Sequence, residues 1–418
     1  MHGSEAPTST VADRSDAAPS TRISAIDALR GFALLGIVVA HMSEQYLGAP
    51  PPPAQPDFGV FSTADRVAQA LYGLLVIGKF FPIFSLLFGV SFVIQMRAMA
   101  ARGDAPEVRF LWRLAILFAI GMAHHLLYRG DILAIYAMLG VCLVFAQRLS
   151  GRTLLVIAGV LLVGLPRLLL AVGGSLTGQP LVLMPPADEM APYYAAVLSG
   201  SPLDVALANL REGFATKLVF QFGLFGRGYQ TLALFLVGLW LARHGWHERL
   251  AERCDVLRRA RRWSLALIAA AVVVLGGALA MVGLPSSPDS ITRAQAVLGF
   301  TLMDLVNLGI ASVFVTSFLL LYGRPGPRRW LQPLVPVGRT ALTVYLTQTI
   351  VGTALLYGFG LGWLGRIGTA TAILIAVAVF ALQAIVATLW LRAFQYGPVE
   401  WAWRSLTFGR AAPWRAAT

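Results

Sequence analysis

RISAIDALRGFALLGIVVAHMSE, Arg22 to Glu44, is the stretch that decides the fold. It reads as an apolar helix with four polar residues near its ends: Asp27 and Arg30 early, His41 and Glu44 late. At about 100° per residue, the steps from Arg30 to His41 return to within roughly 20° of the same face. Asp27 and Glu44 lie on or near that stripe. A rise of about 1.5 Å per residue sets Arg30 and His41 roughly 16 Å apart along it. A helix in lipid that keeps charge at both ends of one stripe aims it at protein or at a water-filled cavity.

The composition agrees with lipid. Of 418 residues, 57% are hydrophobic and 13% are charged, with mean hydropathy +0.71. A soluble domain carries about 25% charged residues. The expected class is an all-α, polytopic integral membrane protein. The net charge of +13 comes almost wholly from arginine, because Lys79 and Lys217 are the only lysines. Such a balance would suit nucleic acid, but its placement along the chain accounts for it as membrane topology, and no nucleic-acid partner is expected. Cys142 and Cys254 lie far apart and suggest neither a disulfide framework nor a metal site. No Walker-type loop, HExxH or GxSxG is present.

Apolar runs of roughly spanning length fall at 26–47, 70–96, 110–128, 131–148, 153–173, 227–243, 263–284, 294–322, 337–359 and 367–394. They predict about ten helices in one bundle over 22–410. Residues 1–21, rich in Ser, Thr, Ala and Pro, read as a disordered tail and not as a cleaved signal peptide, and 411–418 as a C-terminal tail. The segment 203–225 reads as interfacial or spanning. Arg97, Arg102, Arg109 and Arg113 follow the second run, and Arg148 and Arg152 the fourth. The arginines between Arg243 and Arg262 follow the sixth, and Arg324, Arg328, Arg329 and Arg339 the eighth. The positive-inside rule then puts both termini in the cytoplasm, across the plasma membrane from the prolines of 50–56 and the Pro/Gly-rich 174–205. No internal repeat and no separate soluble domain is visible.

Topology places the chemistry. His41 falls in the outer third of the first helix and Arg30 in the inner third. The third helix ends HHLLYRGD, which brings His124 and His125 to the outer surface. Gly130 permits a tight turn, and Asp131 opens the returning helix. His41, His124 and Asp131 should therefore share a depth and are the catalytic candidates. A histidine takes and returns a proton near neutrality, and His124 with Asp131 could form a second proton-handling pair or orient His41. Their plainer readings are a packed histidine and a hydrogen bond closing a helix turn. Arg30, with Asp27, could meet an anionic cofactor near the cytoplasm, or the two could simply form an i, i−3 salt bridge. Asp304 needs a partner or a proton in lipid, and Lys79 or Arg227 could supply the partner. Glu44, Lys79, Arg227, Asp304 and Gln348 are the candidates for holding substrate. FFPIFSLLFG, 80–89, reads as a lipid- and helix-packing surface kinked at Pro82.

Five blocks carry a resemblance. RISAIDALRGFALLGIVVAH from Arg22, KFFPIFSLLFGVSF from Lys79, HHLLYRGDILAIY from His124, VGRTALTVYLTQT from Val337 and FQYGPVEWAWRSLTFGR from Phe394 resemble the YeiB-like membrane protein family, domain of unknown function 418. The family is thought to be related to transmembrane acyltransferases, among them the bacterial type three acyltransferases. In those an Arg-x10-His motif in the first helix carries a catalytic histidine, and Arg30 and His41 match its spacing. Many relatives carry asparagine in place of His41. The resemblance implies acyl transfer from a cytoplasmic donor, acyl-CoA (acetyl-CoA first), to a hydroxyl or amine of an outer-face glycan, lipid or small molecule. His41 would be the general base, oriented by His124 or Asp131, with Arg30 at the donor. The alternative class is a transporter or exporter of a small anionic or lipidic metabolite, with Asp304, Arg30 and His41 as relay or binding groups.

Overall fold

The computed structural model describes residues 21–52, 58–179, 181, 187–246, 253–282 and 290–415. The tail at 1–20 and parts of the loops at 50–56 and 174–205 lie outside the described residues. Among these the chain is all-helical. In order come α1 (Thr21–Ser43), α2 (Thr63–Leu75), α3 (Phe80–Ala100), α4 (Pro106–Leu127), α5 (Leu133–Ala146), α6 (Gly151–Leu162) and α7 (Leu165–Leu176). Then follow α8 (Ala187–Ser199), α9 (Pro202–Ala208), a π-helical turn (Asn209–Gly213), α10 (Phe214–Phe222), α11 (Arg227–Arg243), α12 (Cys254–Val282) and α13 (Arg293–Tyr322). Short α14 (Pro325–Leu331) and α15 (Leu334–Arg339) lead to α16 (Ala341–Leu356), α17 (Thr369–Ala393) and α18 (Pro398–Phe408).

Among the described residues, six stretches are long and apolar enough to cross a bilayer: α1, α2 with α3, α4, α12, α13 and α17. Two bent pairs raise the number to eight: α6 with α7, at 48°, and the segment Pro202–Phe222 with α11, at 61°. The runs expected at 131–148 and 337–359 are the helices α5 and α16, of 14 and 16 residues. A full crossing takes about 20 residues, so length and composition support six to eight crossings.

Helix α1 packs on α3, α15, α16 and α17. Close approach there depends on missing side chains. A Cβ at Gly338 would strike the Asp27 carbonyl, and one at Gly89 or Gly238 would strike the backbone across the α3–α11 crossing. Small residues at helix crossings are how membrane helices gain packing energy without a hydrophobic drive. The FFPIFSLLFG run begins α3 and points Phe80, Ile83, Ser85 and Leu87 into the core. Pro82 falls in the first turn of α3, where its missing N–H costs nothing, so it does not kink a helix. The break comes earlier, at Val76–Lys79.

One arginine joins the two bent pairs. Gly164 (φ +78°) breaks α6 from α7, and Gly226 (φ +66°) precedes α11. Arg167, buried at 2% exposure, donates through Nε to the Leu224 carbonyl and through Nη2 to the Phe225 carbonyl at 2.7 Å. Its Nη1 reaches the Thr301 hydroxyl at 2.9 Å, and Nη2 the Asp304 carboxylate at 2.5 Å. A broken helix frees carbonyls that lipid cannot satisfy; here the guanidinium satisfies them. The expectation of Lys79 or Arg227 as the partner of Asp304 is corrected: the ion pair exists, but with Arg167.

Candidate functional site

The site forms where the far end of α1 meets the end of α4, the turn into α5, and α16. After Ser43 the chain makes a tight turn in which Gln45 and Tyr46 adopt φ of +49° and +52°. Non-glycine residues pay for that conformation, and side-chain bonds hold it. Gln45 bonds the Ile367 carbonyl at 3.1 Å and accepts from Gly365 N–H at 2.7 Å. The Tyr357 hydroxyl donates to the Tyr46 carbonyl at 2.7 Å and the Tyr193 hydroxyl to the Leu47 carbonyl at 2.5 Å. Tyr193 lies on α8, outside the apolar spans, where burial pushes its hydroxyl up to about 12, so it stays a donor at neutral pH. The turn folds the Tyr46 ring back to 5.2 Å from His41, centroid to centroid.

The two histidines face common walls. The ring of His41 lies 5.0 Å from Tyr128 and 6.0 Å from Tyr345; that of His124 lies 5.1 Å from Tyr345 and 6.2 Å from Tyr128. His124 Nδ1 is 2.8 Å from Asp131 Oδ1. Asp131 also accepts the backbone N–H groups of Leu133, at 3.1 Å, and Ala134, at 3.2 Å, and so caps the start of α5. Its second oxygen lies 3.6 Å from Lys217 Nζ. His124 is 6% exposed, Asp131 1% and Lys217 6%. The carboxylate that accepts these two N–H groups holds the His124 ring by its Nδ1 edge and turns Nε2 away from it. Nε2 of His124 and Nδ1 of His41 are both buried without a hydrogen-bond partner. Buried polar atoms without partners are costly, and these two stand beside one tyrosine wall.

The sequence candidates divide in two. His41, His124 and Asp131 come together at the end of α1 away from Arg30, where Asp131 bonds His124. His125 is buried on another side, 3.1 Å from the Asn209 carbonyl. Glu44, one turn beyond His41, accepts from the Tyr72 hydroxyl at 2.6 Å. The remaining candidates are engaged elsewhere. Arg30 binds Asp27 at 2.6 Å and the Ser91 hydroxyl at 2.7 Å. Lys79 donates to the Gly73 carbonyl at 2.6 Å, at the end of α2. Arg227 sits over the Phe81 ring at 4.3 Å. Gln348 bonds Gln383 at 3.1 Å. Sequence reasoning missed Lys217, Tyr128 and Tyr345. A signal for Lys217 was present: two lysines among 33 basic residues, both of which prove buried.

Comparison with known proteins gives a consistent result. The family model described as protein of unknown function (DUF418) matches residues 241–410. The uncharacterized protein YxaH of Bacillus subtilis is 30% identical over 410 residues, covering 93% of this chain and 94% of its own. The uncharacterized protein YeiB of Escherichia coli is 28% identical over 93% of this chain and 97% of its own. A 39.9 kDa protein encoded in the amylase 3′ region of Bacillus acidopullulyticus is 27% identical, over 94% and 95%.

Proposed function

The chain belongs to the YeiB-like DUF418 family, and from that premise and the geometry of the site we propose that it is a membrane acyltransferase. It moves an acyl group from a cytoplasmic acyl-CoA to a hydroxyl or amine of an acceptor at the outer face: a glycan, a lipid or a small molecule. The observation that carries the reading is the His124–Asp131 pair beside His41, with one bare ring nitrogen on each histidine. A base whose far nitrogen is held by a carboxylate is the arrangement nucleophile activation requires. His124 Nε2 takes the acceptor's proton as its oxygen or nitrogen attacks the thioester carbonyl. The C–S bond then breaks, and the proton passes to the departing thiolate. His41 has no carboxylate behind it, and we assign it to holding the acceptor or the polarised carbonyl oxygen. Arg30 and Asp27, bound to each other and to Ser91, brace the inner end of the stripe. In this reading all ten apolar helices or bent pairs span the plasma membrane.

The test is transfer itself. Purified protein in nanodiscs, given isotopically labelled acetyl-CoA and an envelope extract from a deletion strain, should yield a labelled acyl product by mass spectrometry. An extract that stays unlabelled with each acyl-CoA tried, while the parent strain carries no acyl group missing from the deletion strain, would overturn the reading.

A second reading draws on a different observation. Two broken spans meet at the Arg167–Asp304 pair, and discontinuous helices with ionisable groups mark transport sites. Under export, deletion would trap an unmodified metabolite inside the cell.

A further inference from the structure

We infer that Lys217 sets the number of protons on the His124–Asp131 pair, and thereby decides that Nε2 of His124 is the bare nitrogen. The inference deepens the acyltransferase reading and rests on it only for the use made of that nitrogen.

The argument starts from charge. Asp131 lies deep among apolar helices, and its two oxygens accept N–H groups from Leu133 and Ala134. A lone carboxylate there would be expensive. Among the described residues, the charged or ionisable groups within ion-pair distance of it are His124, at 2.8 Å, and Lys217, at 3.6 Å. At 3.6 Å from Oδ2, Lys217 acts on Asp131 as a point charge on a flexible stem. Lys⁺, Asp⁻ and neutral His sum to zero. That is the one arrangement that leaves the carboxylate ionised, the imidazole Nδ1–H donating to it, and Nε2 bare.

Remove the lysine charge, and the pair regains neutrality by binding one proton. On the carboxyl, that proton is donated to Nδ1, and the single ring proton moves to Nε2. On the ring, the imidazolium carries protons on both nitrogens. Both routes put hydrogen on Nε2 and close the lone pair. The neighbouring groups do not replace Lys217. Arg129 lies 3.3 Å over the Tyr193 ring and bonds Asn209 at 3.2 Å. His125 bonds the Asn209 carbonyl at 3.1 Å. Glu212, near Arg129, has the wrong sign. Tyr128 and Tyr345 pack their rings against that of His124, and His41 packs on the same two tyrosines. The lysine lies on α10, directly after the π-helical turn at 209–213, a feature that recurs at functional sites.

The test needs no substrate. The full chain, labelled with ¹⁵N-histidine and held in nanodiscs near pH 7.5, is read by nitrogen NMR, with the His124 signals assigned by their loss in His124→Gln. Wild type should show a protonated Nδ1 and a bare Nε2. Lys217→Met should protonate Nε2, and Lys217→Arg should restore the bare nitrogen, which a purely structural lysine would not do. Where Lys217→Met fails to insert, Lys217→Gln removes the charge and keeps a polar side chain. A bare Nε2 in the neutral variant, or a protonated one in wild type, overturns the inference. Protonation that follows the lysine charge in a protein that transfers no acyl group would leave the inference standing and sink the acyltransferase reading instead.

Discussion

His41 and His124 look alike in composition and differ in what stands behind them. Asp131 holds Nδ1 of His124 at 2.8 Å, while the ring of His41 has the rings of Tyr46, Tyr128 and Tyr345 about it at 5.2, 5.0 and 6.0 Å. The expected outcome follows from that difference. His124→Ala should insert normally and lose about 10² to 10⁴ of acyl-transfer rate, the usual share of a positioned base. His41→Asn should keep most of the rate, because an amide still hydrogen-bonds substrate though it cannot take a proton. Rates measured with the labelled donor decide it: a dead asparagine variant beside a weakened His124→Ala would return the role of base to His41. The meeting of these residues at one end of α1 was legible, since helix rise and a glycine turn fix it. Which histidine the carboxylate would hold was not, because that depends on ring orientation across the turn. Lys217 was still less legible, for it lies on a distant segment, directly after a π-helical turn that no periodicity announces.

Elements break where lipid should forbid breaking, and one side chain makes that possible. Arg167 supplies donors to the freed carbonyls before α11 and closes an ion pair with Asp304 on α13. Arg167→Gln removes the cation beside the Asp304 carboxylate and the guanidinium fork that donates to those carbonyls. Loss of one partner of a buried pair costs about 3–5 kcal/mol. The variant's unfolding midpoint in detergent should drop accordingly, and Asp304→Asn in the same chain should recover part of the loss, because the two residues share one interaction. Equal stability of wild type and Arg167→Gln would show that the pair is incidental and that the bends are held by packing alone. Apolar periodicity revealed these helices but not their breaks. A glycine in a run of leucines and valines reads as tolerated, and only the structure reveals φ of +78° at Gly164 and +66° at Gly226. Pro82 misled in the opposite direction: proline signalled a kink, yet the helix simply begins beside it.

At the scale of the whole chain, the question is which way the bundle faces. Each apolar run of the sequence has a helical counterpart, but α5 and α16 are short and two others are bent, so length alone supports six to eight crossings. Arginine supplies the independent constraint. Arg102 and Arg109 gather over the Phe408 ring, and Arg113 over Trp403, so the α3–α4 loop and α18 occupy one end of the bundle. Arg258, Arg259, Arg261 and Arg262 open α12, the helix that follows α11 in the chain. His41, Asp131 and the cap made by α8 lie at the end of α1 away from Arg30. Basic loops stay in the cytoplasm, so the histidine end should face outward. A cysteine placed at Pro52 or Gly178 should react with a membrane-impermeant maleimide in intact cells, and one at Arg102 or Arg258 should react only after lysis. The native Cys142 and Cys254 are replaced by serine first, so that only the placed cysteine can react. Labelling of the Arg102 site in intact cells would invert the bundle. His124 would then meet its acceptor on the same side as acyl-CoA, and transfer across the membrane would no longer be required of it.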